Sequence, residues 1–198
     1  MIEAVLFDLG NVVMEIDFRR TFKHWADASG HKEAHFHAHW SEDEAYRAHE
    51  VGALSFSEYA ENLSERLGVT LPEAVWREGW NDLFVGAYEG VQTRLEGLQG
   101  QIGLYAFTNT NATHEAAWRA RFEQEMRHFE TIYVSSTIGM RKPDVAAFQW
   151  VAADMQLAPE RILFLDDNPA NIAGAERAGM QTALIGSEAD VLAALATF

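Results

Sequence analysis

VLFDLGNVV, residues 5–13, places the carboxylate of Asp8 directly after a short apolar run, with a glycine, Gly10, two positions later. A continuous apolar run that stops at a glycine is typical of a strand buried on both faces, as in parallel sheets. Other runs share the pattern: IGLYAFT (102–108), ILFLDD (162–167), TALIG (182–186) and, more weakly, TIYVSS (131–136). We therefore expect Asp8 to stand at the carboxyl end of a strand, where open parallel sheets bind ligands.

Helical stretches separate these runs along the chain. Residues 111–129 carry apolar side chains near helical spacing. Residues 142–155 and 168–179 begin close to Pro143 and Pro169, and proline is favoured as a first helical residue. Strands that alternate with helices predict a right-handed, parallel, three-layer α/β fold.

Residues 16–89 interrupt this alternation and contain no strong strand signal. Capping-box signatures at Ser41–Glu44 and Ser55–Glu58 predict two helix starts. Asp17 and Pro72 are suited to the starts of two more. We therefore expect a helical cap inserted into the sheet domain.

Composition narrows the classes of function. The 198 residues carry a formal net charge of −15 and contain no cysteine. Strong acidity disfavours nucleic acid and anionic membranes as partners, because binding to either depends on basic patches. The absence of cysteine excludes disulfides and thiolate metal sites. The start MIEAVLF resembles no signal peptide, and no apolar run approaches the roughly 20 residues of a membrane span, so we expect a soluble cytoplasmic protein.

Polar side chains follow the predicted strands where the strands end. They are three carboxylates, a hydroxyl, an amide and an ammonium: Asp8, Asp166, Asp167, Thr108, Asn109 and Lys142. Close carboxylates repel one another, and a divalent cation relieves that repulsion; oxygen ligands favour Mg²⁺. The Lys142 ammonium, the Thr108 hydroxyl and the Asn109 amide suit a phosphate. The set predicts a magnesium and phosphate site at which Asp8 attacks phosphorus.

Four segments resemble the ordered motifs of the haloacid dehalogenase-like hydrolase superfamily. They are FDLGNVV (7–13), FTNTN (107–111), GMRKP (139–143) and FLDDNPANI (164–172). Two cap segments, HEVGALS (49–55) and GWNDLF (79–84), look like the branch that contains α-D-glucose-1-phosphate phosphatase. The resemblance implies a Rossmann-like three-layer core at 1–15 and 90–198 and a helical cap at 16–89.

The resemblance also implies roles for the matching positions. These are catalytic Asp8 and Lys142; substrate-binding Thr108, Asn109 and His49; and, for Mg²⁺, Asp8, Gly10, Asp166 and Asp167. Gly10 matches a position whose backbone carbonyl binds the metal, and Asp166 is expected to bind directly or through water. His49 is expected either to face the substrate or to cap a helix end. Asn168 and Asn171 are expected to support the acidic loop or to serve as turn and cap residues.

Gly10 departs from the commonest pattern of the superfamily, which has a second aspartate there to protonate the leaving group and activate water. A glycine keeps the carbonyl but transfers no proton. We expect turnover to rely on a good leaving group, on water, or on a substitute among Glu15, Asp17 and His49.

The leading hypothesis is a Mg²⁺-dependent phosphatase for a small phosphorylated metabolite, with a hexose 1-phosphate first by resemblance, in a monomer or homodimer. One alternative is a hydrolytic 2-haloacid dehalogenase, although such an enzyme has no need of the paired acids Asp166 and Asp167. Another is a weakly catalytic binding or regulatory module on the same scaffold. Most histidines, including those of HFHAHW (35–40), are expected at the surface or rim of the cap.

Overall fold

The computed structural model describes residues 1–198 and contains a five-stranded parallel sheet, a two-stranded antiparallel sheet and twelve α-helices. The strands are β1 (Ala4–Phe7), β2 (Met14–Ile16), β3 (Phe84–Ala87), β4 (Gly103–Thr108), β5 (Thr131–Val134), β6 (Ile162–Asp166) and β7 (Gln181–Leu184). The helices are α1 (Phe18–Ser29), α2 (Glu33–His39), α3 (Glu44–Glu50), α4 (Phe56–Leu67), α5 (Glu73–Asn81), α6 (Glu89–Leu98), α7 (Ala112–Arg121), α8 (Glu123–Met126), α9 (Ser135–Ile138), α10 (Val145–Asp154), α11 (Pro169–Arg177) and α12 (Glu188–Leu195). No helix combines the length and the apolar character that crossing a membrane requires.

The central sheet has the order β5-β4-β1-β6-β7, and all its neighbouring strands are parallel. Successive side chains of β1 alternate between its two faces. Val5 and Phe7 pack among side chains of α6, α7 and α12, whereas Ala4 and Leu6 pack among those of α10 and α11. All four are fully buried, which is why β1 is a continuous apolar run. The predicted three-layer α/β fold is therefore confirmed.

Helices α1 to α5 lie between β2 and β3 and have an apolar cluster of their own. Trp25, Trp76 and Trp80 are at its centre, and the rings of Trp25 and Trp80 stack with centroids 5.9 Å apart. The helical character expected of this segment is confirmed. The exact division of the chain into core and cap stays a prediction.

Two strands, β2 and β3, lie where none was expected. They pair antiparallel with each other, so the chain leaves the sheet domain and returns to it through two neighbouring strands. The sequence FVGA lacks the alternation that reveals a half-buried strand, and Gly86 weakens the signal further. Phe84, at the start of β3, lines the cavity described below.

Three predicted helix starts are confirmed. Ser55 and Glu58 form the reciprocal capping box of α4. The Asp17 side chain accepts from the Arg19 amide at the start of α1, and Pro169 is in the first turn of α11.

Three other expectations are wrong. α3 is capped by Asp43, not Ser41, because the Ser41 hydroxyl accepts from Arg66 while the Asp43 carboxylate accepts from the Tyr46 amide. α10 begins at Val145, since Asp144 is still extended, so Pro143 precedes the helix. Residues 111–129 form two helices because Phe122 leaves helical geometry (φ −119°).

Candidate active site

The ends of three adjacent strands bring the predicted acids together. β1 ends one residue before Asp8, β4 ends at Thr108, and β6 ends at Asp166. β1 lies between β4 and β6, so the three ends share one rim of the sheet. The Asp8 carboxylate accepts from the Leu9 backbone amide through Oδ1 at 2.7 Å, which fixes its direction.

Lys142 joins two of these acids. Its Nζ lies 3.0 Å from Asp8 Oδ1 and 2.7 Å from Asp166 Oδ2, and the side chain is fully buried. Burial alone would lower the pKa of Lys142, but the two carboxylates outweigh burial and hold the pKa above its usual value. Lys142 is therefore a permanent cation between the acids.

The Asp166 carboxylate accepts hydrogen bonds from three residues. Its Oδ1 accepts from the Asn168 backbone amide at 2.8 Å, and Asn171 donates to both carboxylate oxygens at 3.1 and 3.0 Å. Together with Lys142, these donors occupy a fully buried carboxylate. Asn171 thus supports the acidic loop, whereas the Asn168 side chain caps α11 through the Ala170 amide.

Asp167 differs from Asp166 because it is only half-buried and faces the cavity. Its Oδ2 accepts from Asn11 Nδ2 at 3.0 Å. Asn11 has a left-handed backbone (φ 56°), which asparagine tolerates better than most residues. This link between the first and last motifs was not predicted, because it depends on a side-chain direction across 156 residues of sequence.

The acids fit a divalent cation. Asp8, Asp166 and Asp167 each offer a carboxylate oxygen, and these oxygens lie within 4.8 Å of one another. Burial raises the pKa of Asp8 to about 7, with Asp166 adding to the effect and Lys142 opposing it. Burial also raises the pKa of Asp167. A cation would favour the charged forms and remove this cost, and hard oxygen donors suit Mg²⁺.

Thr108 and Asn109, the predicted phosphate-binding pair, lie at the same rim but make different contacts. The buried Thr108 lines the cavity beside Asp8. The Asn109 side chain instead braces the Lys142 backbone, donating to its carbonyl and accepting from its amide, both at 2.9 Å. The Asn109 side chain therefore also positions Lys142.

Two connected spaces open beside the acids. The inner cavity has a volume of about 120 Å³ and is lined by Asp8, Leu9, Gly10, Asn11, Met14, Ile16, Phe18, Tyr46, Glu50, Leu83, Phe84, Thr108, Asn109, Thr110, His114, Trp118 and Asp167. The outer cleft shares Asp8, Tyr46, Glu50 and Asp167 with it and adds Glu42, Arg47, Arg141 and Lys142. Core and cap residues line both spaces, so a substrate bound there touches both.

His49 does not line either space. It is buried, its Nδ1 lies 2.9 Å from the Leu54 carbonyl oxygen, and its ring stacks on Tyr59 at 4.8 Å. Burial lowers its pKa, so the ring is neutral. The structure thus places His49 in the cap interior, away from a substrate in the cavity.

The next residue, Glu50, faces the cavity instead and was not predicted. Its side chain is 4% exposed, and Oε2 lies 2.7 Å from Arg141 Nη2. Arg141 directly precedes Lys142, so this ion pair joins the end of α3 to the lysine loop. Both residues could have been considered from the sequence, because Glu50 lies within the segment HEVGALS and Arg141 within GMRKP.

Comparison with known proteins agrees with this architecture. D-ribitol-5-phosphate phosphatase of Bacteroides thetaiotaomicron is 24% identical over 196 residues, covering 92% of this chain and 91% of the relative. Drimenol cyclase drtB of Aspergillus calidoustus is 26% identical over 198 residues; the match covers 96% of this chain but only 35% of that protein. The chain therefore spans about a third of one relative and nearly all of the other.

The fold also matches a solved HAD family enzyme from Bacteroides thetaiotaomicron, in complex with magnesium and inorganic phosphate. The TM-score is 0.80 at 23% identity, covering 94% of this chain and 96% of that one. The family model described as haloacid dehalogenase-like hydrolase matches residues 2–179. With most of its residues matched by that model, the chain belongs to the haloacid dehalogenase-like hydrolases.

Proposed function

We propose that this protein is a Mg²⁺-dependent phosphatase that transfers the phosphoryl group of a small metabolite to Asp8 and then hydrolyses it. One observation carries the proposal. Asp8 Oδ1 lies 3.0 Å from the Lys142 ammonium, and Asp8 shares one cavity with Thr108 and the half-buried Asp167. A nucleophile, a cation and an acidic metal site thus meet at one point, as phosphoryl transfer requires.

The contacts of each site residue suggest its role in the proposed reaction. Asp8 Oδ1 is held by Lys142 and the Leu9 amide, which leaves Oδ2 to attack phosphorus. Asp8, Asp167 and the Gly10 carbonyl would hold Mg²⁺, while Asp166, which also positions Lys142, would bind it directly or through water. Mg²⁺, when bound, supplies positive charge that offsets the phosphate and the carboxylates. Thr108 donates its hydroxyl to a phosphate oxygen.

The charges around the acids favour a neutral leaving group such as a sugar or polyol. The two cations nearest the acids, Lys142 and Arg141, are already paired with carboxylates. They are therefore poorly suited to bind a negatively charged leaving group in addition to the phosphate. A hexose 1-phosphate leads by resemblance, and the pentitol phosphate named for one relative belongs to the same chemical class.

A phosphate-release assay over a substrate panel tests the proposal. The panel contains glucose 1-phosphate, ribitol 5-phosphate, a nucleoside monophosphate and pyrophosphate, each with Mg²⁺ and with a chelator. We expect the sugar and polyol phosphates to be hydrolysed only with Mg²⁺. Asp8→Asn should lower kcat by at least about 10³-fold, since it removes the nucleophile.

Asp27→Asn is the matched control, because Asp27 is an exposed aspartate on α1 that pairs only with Lys23. It should leave phosphate release unchanged. Full activity of Asp8→Asn, or of metal-stripped protein, would contradict the proposal. Halide release from a 2-haloacid in the presence of chelator would favour the dehalogenase instead.

A further inference from the structure

Position 10 lacks the carboxylate that would exchange protons with the leaving group, and the Ile16 side chain lies where a side chain at this position would begin. A Cβ placed on Gly10 would lie 2.9 Å from Cδ1 of Ile16, a movable side-chain tip. The isoleucine therefore occupies the region beside Gly10. Any group that transfers the proton must reach the cavity from another element.

The three substitutes expected from the sequence do not reach it. Glu15 is exposed on β2, and Asp17 caps α1 while it pairs with Arg19 at 2.8 Å. His49 is buried against Tyr59. None of the three lines the inner cavity or the outer cleft.

Five titratable side chains do line the inner cavity: Asp8, Tyr46, Glu50, His114 and Asp167. Asp8 and Asp167 are already assigned to the nucleophile and the metal site. His114 Nε2 lies 2.9 Å from the Trp80 carbonyl oxygen and its Nδ1 faces Asn111 Nδ2, so both nitrogens are engaged. Burial also lowers the pKa of His114 to about 3, and burial raises that of Tyr46 well above its usual value. Only Glu50 remains.

We propose that Glu50 is the acid–base residue of this enzyme, donating a proton to the leaving-group oxygen from the cap side of the cavity. The inference rests on the proposed phosphatase function and names the group that the glycine at position 10 does not provide.

Three contacts fix Glu50 at the boundary between cap and core. Its backbone carbonyl oxygen accepts from Ser135 Oγ at 2.6 Å. Gly52, two residues later, approaches the core so closely that a Cβ there would lie 2.5 Å from the Ser136 carbonyl oxygen. Arg141 holds one carboxylate oxygen at 2.7 Å. The end of α3 is thus docked on the core, with the Glu50 side chain directed at the cavity.

The charges around Glu50 are suited to a proton that leaves and returns. Burial raises its pKa and Arg141 opposes that effect; Tyr46 also opposes it, and Glu42 adds to the rise. The carboxyl group is therefore a better proton donor near neutral pH than an exposed glutamate, while Arg141 stabilises the carboxylate once the proton has gone.

The proposed reaction has two steps, transfer of the phosphoryl group to Asp8 and its hydrolysis. Asp8 Oδ2 forms a bond to phosphorus while the bond from phosphorus to the leaving oxygen breaks, and that oxygen takes the proton of Glu50 to leave as an alcohol. Water then attacks phosphorus, and the Glu50 carboxylate accepts one of its protons. The bond between phosphorus and Asp8 breaks, which releases inorganic phosphate and restores both side chains.

A leaving-group series tests the role of Glu50. For Glu50→Gln we expect kcat/KM to fall roughly 10²- to 10⁴-fold with glycerol phosphate, whose alkoxide needs a proton. With p-nitrophenyl phosphate, whose phenolate leaves unprotonated, kcat/KM should fall less than about tenfold, because kcat/KM reports the steps through departure of the leaving group and this departure needs no proton. Glu44→Gln, which changes an exposed glutamate at the start of the same helix, should alter neither.

Equal losses on both substrates would overturn the proposal, because a merely structural role does not distinguish leaving groups. An unchanged rate with glycerol phosphate would overturn it too. If Glu50→Gln folds poorly because Arg141 loses its partner, the double variant Glu50→Gln/Arg141→Gln removes the unpaired charge and is read in the same way. Adding Gly10→Asp to Glu50→Gln should restore the glycerol phosphate rate, since the Ile16 tip can move aside.

The series also separates the two proposals. A wild-type protein that hydrolyses both esters with Mg²⁺, combined with an unselective or silent Glu50→Gln variant, overturns the role of Glu50 alone. A wild-type protein that hydrolyses neither ester overturns the phosphatase function and the role of Glu50 with it.

Discussion

At the scale of single residues, Lys142 is the most constrained group of the site. It is a fully buried cation that contacts two carboxylates, and the rings of Phe107 and Phe164 flank it at 5.6 and 5.4 Å. Removing one partner of a buried ionic group leaves charge without compensation, which costs far more than losing an exposed pair. Lys142 thus contributes to folding as well as to the proposed chemistry.

Lys142→Met should lower the free energy of unfolding by about 3–5 kcal/mol, because Asp8 and Asp166 then face each other without a cation. Mg²⁺ should recover part of that loss by supplying the missing positive charge. Urea unfolding with and without Mg²⁺ measures both effects.

Lys23→Met is the control for this measurement. Lys23 pairs with Asp27 at 2.6 Å, but both side chains are about two-thirds exposed (66% and 69%). We expect a change below about 1 kcal/mol, and no dependence on Mg²⁺. Similar losses for the two lysine variants would contradict the view that Lys142 neutralises a buried acidic cluster.

At the scale of elements, the sequence predicts which residues lie at the ends of the strands. It does not predict which side chains of the other elements face the cavity. Asp8, Thr108 and Asp166 each end or follow an apolar run, so parallel topology alone brings them together. Glu50 could not be selected over its neighbour His49, because which of two adjacent helical residues faces the core depends on how α3 docks. That docking is set by tertiary contacts with α9, which no local pattern encodes.

Two glycines with left-handed backbones test the docking of α3. Gly52 (φ +73°) would place a Cβ 2.5 Å from the Ser136 carbonyl oxygen, whereas Gly68 (φ +63°) has nothing within 4 Å. Gly68→Ala should cost about 1 kcal/mol through backbone strain alone. Gly52→Ala adds a backbone clash and should cost roughly 2–4 kcal/mol.

The two alanine variants should also differ in catalysis. Gly52→Ala displaces the end of α3 and therefore Glu50, so kcat/KM should fall about tenfold or more, since a small misplacement of a reacting group is costly. Gly68→Ala should retain wild-type activity. Thermal unfolding and phosphate release on both variants provide the test, and equal behaviour of the two would argue against a docked α3.

At the scale of the whole molecule, core and cap have separate apolar clusters. The α/β fold and the helical insertion followed from the alternation of patterns. The two-stranded sheet of β2 and β3 could not be predicted in this way, because both strands are short and weakly patterned. His114 lies at this boundary: it belongs to α7, stacks on Trp80 of α5 at 4.7 Å and hydrogen-bonds to the Trp80 backbone.

Acidic pH should therefore lower the stability of the protein through His114. Burial lowers the folded-state pKa of His114 from 6.5 to about 3. The unfolded chain binds the proton more readily, so stability falls as the pH drops below about 6.5 and the loss is complete near pH 3. At about pH 5 this group should cost about 2 kcal/mol relative to neutral pH.

His114→Gln removes the titration and isolates this contribution. The stability advantage of the wild type over His114→Gln should shrink by about 2 kcal/mol between about pH 7.5 and pH 5 in chemical unfolding experiments. An advantage that grows toward acid pH would mean that His114 is charged in the folded protein.

Covalent capture of the phosphoryl group tests the central claim most directly. Protein mixed with Mg²⁺ and a sugar phosphate is quenched in acid during turnover, digested and mapped by mass spectrometry. We predict one phosphoryl group on the peptide that contains Asp8, and none when Mg²⁺ is chelated or Asp8 is replaced by Asn. Turnover that proceeds with no adduct on Asp8, or with the phosphoryl group on another residue, would contradict the account.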